Sequence, residues 1–182
     1  MSENNDQKSD VLSNVQGQMR LSERIAAFIP GFHGYKEKEI RRESDRLVRN
    51  HLYMKLTIAK TSLREINQKL ADRRYLDVLT DMDRLSAKMD RVSEKVNHAS
   101  YGYSGFFDAV KVREQNLDNM ITFDNKLIDE VNALMTEVDA FKADLTSGNT
   151  SNLKGHVDSV TDKLETLENT FDQRNEVIMG VS

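Results

Sequence analysis

Asp124 stands where an apolar seam calls for a leucine or valine, three residues before Leu127 and four after Met120. A buried carboxylate is costly unless it is paired, so this one has three uses. It can meet an arginine of another helix, move a proton, or set helix register as seam-borne polar residues do in coiled coils. The register-setting role is the one expected. Arg113 and Arg174 occupy seam positions in the same way.

Other chemistry is poorly supplied. His33, His51, His98 and His156 are scattered, and no Glu is followed three positions later by His, so the paired ligand motif of di-iron bundles is missing. The absence of Cys excludes disulfides and thiolate metal sites. No Walker A loop, Gly-x-Ser-x-Gly, His-Glu-x-x-His or Rossmann fingerprint is present. A non-enzymatic protein without cofactor or metal is therefore expected.

Two aromatic, glycine-rich turns are the better candidates. Tyr101, Tyr103, Phe106 and Phe107 fall within seven residues of a chain that has 12 aromatics, and Phe32 and Tyr35 flank a second turn. Tyrosine and phenylalanine give large contacts at low entropic cost, so these six residues are the expected contacts with protein partners. The competing reading is that they plug the end of the molecule by packing on each other.

A basic stretch follows the first turn. Lys36, Lys38, Arg41, Arg42, Arg46 and Arg49 could contact an anionic membrane surface, helped by an amphipathic helix over 19–29 carrying Leu21, Ile25, Phe28 and Ile29. Interspersed acids allow pairing instead: Arg41, Asp45 and Arg49 follow at four-residue spacing. The same acids argue against nucleic acid, and no helix-turn-helix, RRM or KH signature appears. The imbalance is broader than this stretch. From 36 to 74 there are 12 Lys and Arg against 6 Asp and Glu, and from 108 to 182 there are 7 against 15, so a basic helix beside acidic ones is expected.

The elements that position these residues are long helices. Apolar residues recur at spacings of three and four from Val48 to Leu70, Val78 to Ala99, Leu117 to Leu145 and Leu153 to Ile178. Pro30-Gly31 stops the first helix, a break near 72–75 separates the second, over 36–74, from the third, and the fourth, opening near Phe106 with Ser104 as its N-cap, ends at Ser147-Gly148-Asn149. With one Pro in 182 residues, little interrupts them. The fold class expected is all-α: an elongated antiparallel bundle of three to four long heptad-patterned helices with a short N-terminal amphipathic helix. Residues 19–182 form the single domain, behind a polar tail over 1–18 expected to be disordered.

No segment reads as a signal peptide or a membrane span, which makes the cytoplasm the expected location. The composition thus points to a scaffold, adaptor or assembly subunit. Its partners are proteins of unstated identity, with a second copy of the chain wherever a seam is left open. A peripheral membrane protein acting through 19–29 and 36–49 is the alternative.

Overall fold

The computed structural model describes residues 16–17, 19–37, 40–99 and 114–179, and among these it holds helices and no strand. α1 covers 19–28, α2 Arg41–Asp72, α3 Leu76–His98, α4 Glu114–Ser147 and α5 Leu153–Met179. Most of the expected tail, Lys38, Ser104, Arg113 and the turn carrying Tyr101, Tyr103, Phe106 and Phe107 lie outside the described residues. Residues 16–17 are helical, although their polar setting predicts no order.

The residues spaced at three and four are buried from Val48 to Leu70, Val78 to Val96, Leu117 to Leu145 and Leu153 to Ile178. Each large aliphatic side chain withdrawn from water contributes about 1.5–3 kcal/mol. The chain covers these stripes itself, so they do not call for a second copy. No helix among the described residues is long and apolar enough to cross a membrane.

Polar contacts between helices give their directions. Asn67 meets Asp83 and Lys60 meets Asp90, so α2 and α3 run antiparallel; Asp124 meets Arg174 and Glu130 meets Thr170, so α4 and α5 do too. The two hairpins then pack side by side with like directions together. Glu65 pairs with Lys142 and Lys69 with Thr146 along α2 and α4, while Arg91 pairs with Glu168 and Lys95 with Asp172 along α3 and α5. The basic 36–74 region thus lies beside acidic α4, as its charge predicts.

α2 starts five residues later than its stripe suggests. Gly34 takes a positive φ of 83°, the chain turns, and Arg41 Nε and Ser44 Oγ then donate to the carbonyls of Tyr35 and Gly34 at 2.9 and 2.7 Å. These bonds tie the helix to the turn before it.

At the far pole, α2 ends in a Schellman arrangement. The amide of Arg74 donates to the Ala71 carbonyl and that of Tyr75 to the Leu70 carbonyl, with Arg74 at φ 61°. The other hairpin places Gly148 at the equivalent left-handed position. A Cβ there is costly, so Arg74→Gly is expected to stabilise the protein by about 1 kcal/mol, raising Tm by about 2–4 °C in a thermal melt. An unchanged or lower Tm would show that the exposed Arg74 side chain supports the turn in some other way.

Candidate functional site

Five charged or phenolic side chains meet at the pole where α2 and α4 begin and α5 ends. Arg174 is fully buried and directs its whole fork inward. Nε donates to Asp124 Oδ1 at 2.6 Å, Nη1 to Asp45 Oδ1 at 2.9 Å and Nη2 to the Tyr35 hydroxyl at 3.0 Å. That hydroxyl donates to Asp124 Oδ2 at 2.6 Å, and Arg49 Nε closes the far side on Asp45 Oδ2 at 2.8 Å. Two carboxylates and two guanidiniums therefore face one another inside the protein, each anchored by hydrogen bonds. This is the condition under which buried charge is tolerated.

Burial pushes the Asp124 carboxyl above its ordinary value, against the opposing pull of Arg174 and the Tyr35 hydrogen bond. Burial also drives the Tyr35 phenol well up, with the Asp124 charge adding to it. Burial works against the charge on Arg174, but Asp124, Tyr35 and Asp45 outweigh it and hold the guanidinium charged. Tyr35 is thus a neutral hydrogen-bonding group, and with Tyr35, Asp124 and Arg174 fully buried the cluster is built to hold shape.

Several expected site residues are placed differently. Phe32 and Tyr35 are 4% and 0% exposed and pack edge to face, with centroids 5.7 Å apart, so neither offers a surface to a partner. The turn doubles back on the bundle and carries both rings into the core. Arg41 and Arg49 are also buried, turned inward by the Tyr35 carbonyl and Asp45, and so are not an anionic-surface contact. Arg46 is exposed and clasps Glu43 through two bonds, while Lys36 and Arg42 are exposed. Asp124 has its arginine partner on another helix. Asp45 pairs with Arg49 as their spacing predicts, but the pair is buried; Asp45, Val48 and Leu52 continue one stripe, and that spacing is the signal for its burial.

Beside the cluster lies a half-open cavity of about 420 Å3. Its walls include Met19, Ser22 and Glu23 of α1, His33 and Lys36 of the turn, and Ile121 of α4. Among the described residues no group of three His, Asp or Glu is placed to hold a metal ion.

A second polar cluster ties the opposite pole. His156 stacks on Phe141 with ring centroids 5.0 Å apart, and its two nitrogens lie 2.9 Å from Glu137 and 3.0 Å from Asp144. Only the imidazolium can donate to both carboxylates. Burial disfavours the charged ring, but the hydrogen bonds it donates to Glu137 and Asp144 outweigh it and hold the pKa above its ordinary value. A pKa raised on folding means stability that is complete below the unfolded value near 6.5 and lost as pH rises through the folded value. Tm is therefore expected to fall as pH rises above about 6.5 in wild type and to flatten in His156→Gln. Parallel profiles for the two proteins would sink this assignment.

Fold and cluster define a helical bundle with an enclosed charge network at one pole and a histidine clamp at the other. No protein-family model matches the chain, and no curated protein or solved structure matches it either.

Proposed function

We propose that this chain is a non-enzymatic interaction protein, a scaffold, adaptor or assembly subunit, whose long helices form an elongated heptad-seamed bundle. Its partners are proteins, bound at the pole that carries the cavity. One observation carries this reading. At that pole the side chains with chemical potential, Tyr35, Asp45, Arg49, Asp124 and Arg174, are enclosed and bonded to one another, while Met19 and Phe28 of α1 and Met179 at the end of α5 stay 57%, 45% and 55% exposed. Rigid polar support beneath exposed apolar residues suits a contact surface better than a reaction site.

The membrane-surface alternative has less support. Of the four apolar residues that would enter a bilayer, Ile25 and Ile29 are buried in the core and Leu21 packs against it, leaving Phe28 alone exposed, and Arg41 and Arg49 are turned inward.

The test is site-specific photo-crosslinking in the native cell. A photoreactive residue at Met19 is expected to capture a discrete protein, and one at Leu76, 64% exposed at the far pole, is expected not to. Equal capture from both sites, or none from Met19, would overturn the reading.

A further inference from the structure

Residues 19–37 are held differently from the helices beneath them. The long helices cover one another along continuous seams, whereas this segment rests on four buried anchors, Ile25, Ile29, Phe32 and Tyr35. It lies over the furrow between the parallel helices α2 and α4. Asn125 of α4 donates to the Leu21 carbonyl at 3.2 Å, Arg24 pairs with Asp129 of α4, and Arg41 and Ser44 of α2 donate to the Tyr35 and Gly34 carbonyls. Spacings of four, three and three between anchors, on a helix followed by a turn, are those of an amphipathic segment bound in a groove.

The receptor for its last anchor is complete without it. Asp124 and Arg174 bond each other at 2.6 Å, and Asp45 holds both Arg174 and Arg49, so withdrawing Tyr35 leaves every charge of the cluster paired. What the Tyr35 hydroxyl adds is one bond donated to Asp124 Oδ2 and one accepted from Arg174 Nη2, while the Tyr35 carbonyl accepts from Arg41 Nε. A carboxylate lone pair beside a guanidinium N–H is complementary to a group that donates and accepts at one atom. Among side chains that is a hydroxyl, and the depth of the site selects the phenol of tyrosine.

We propose that residues 19–37 are a displaceable strap occupying, within the chain, a groove between α2 and α4 that accepts an amphipathic helix followed by a tyrosine-bearing turn. A partner of that kind competes with the strap. This rests on the reading of the chain as an interaction protein and names the partner's chemistry. Because a tethered segment is present at millimolar effective concentration, the closed form masks the groove until the strap is weakened or outcompeted.

Two measurements on the full chain test this. In wild type, hydrogen exchange is expected to show amides of 21–29 opening separately from, and faster than, those of 127–145. Tyr35→Phe accelerates the first set by at least about tenfold, the scale of the two buried hydrogen bonds lost with the hydroxyl, and leaves the second unchanged. A fluorescent peptide of residues 19–37 then probes the groove in Ile25→Asp/Tyr35→Phe, which removes one apolar anchor and the hydroxyl. It is expected to bind this variant saturably and wild type at least about tenfold more weakly, and a peptide carrying Tyr35→Phe is expected to be weakened to a similar degree.

Strap and α4 amides accelerating together, or the double variant losing its helical circular dichroism, would make strap and bundle one cooperative unit and overturn the proposal. So would a double variant that keeps its helicity and binds no peptide. Dimers formed by exchanged straps would overturn the separate partner in favour of a second copy of the chain. Met19, the first residue of the strap, is exposed with the strap closed, so a discrete crosslink from it stands under any of these results, and failure of the strap and failure of the interaction reading are distinguishable.

Discussion

Arg174→Ala is expected to destabilise the protein by about 3–5 kcal/mol, because it leaves Asp124 and one oxygen of Asp45 buried without their cation. For a chain of this size that lowers Tm by roughly 10 °C. Arg174→Lys should recover little, since an ammonium cannot reach Asp45, Asp124 and the Tyr35 hydroxyl with one planar fork. The loss should also depend on pH. Without Arg174, the Asp124 carboxyl, already raised by burial, takes up a proton more readily in the folded state than in the unfolded one. The folded state then gains relative stability as pH falls, so the deficit is smaller near pH 5 than near pH 7.

A triple replacement separates charge pairing from shape. Tyr35→Phe/Asp124→Leu/Arg174→Met removes the network while Asp45 keeps Arg49. Apolar replacements of buried ion networks are often neutral or stabilising, so most of the stability lost in Arg174→Ala should return. Chemical denaturation of the three proteins decides the matter. A loss under about 1 kcal/mol in Arg174→Ala, the range of exposed pairs, would mean that water reaches the cluster.

Phe141→Ala should have an effect of the same order at the other pole, about 3–5 kcal/mol, because the ring is fully buried and its removal leaves a cavity. It also removes the face on which His156 stacks. The imidazole then loses the wall that holds it between Glu137 and Asp144, and the fall in Tm with rising pH should weaken in this variant. Met54→Ala on α2 is the internal control. That residue is 52% exposed, and its truncation should stay within about 0.5 kcal/mol. Equal losses at Phe141 and Met54 would contradict the burial pattern from which the seams are read.

The helices were legible because the signal is local: apolar residues at spacings of three and four share a face whatever that face meets. The ends were less so. α2 begins at Arg41 because Gly34 takes a left-handed conformation and Arg41 and Ser44 bond back to the turn, contacts that no helical period encodes. Of the buried cluster, Asp124 and Arg174 stood out as charges on apolar seams. The burial of Tyr35 and Asp45 did not, for one reason. A lone tyrosine in a turn, or an aspartate four residues from two arginines, reads as solvated until the element that covers it is known.

Residue order by itself determined that this chain is helical, which faces of its long helices are apolar, and that two opposite charges lie on those faces. Only the tertiary structure decided the rest. Packing two hairpins with like directions side by side brings α2, α4 and α5 together at one pole, and folding 19–37 back over them delivers the Tyr35 hydroxyl between Asp124 and Arg174. Those meetings span 89 and 139 positions of chain, far beyond the reach of any local pattern.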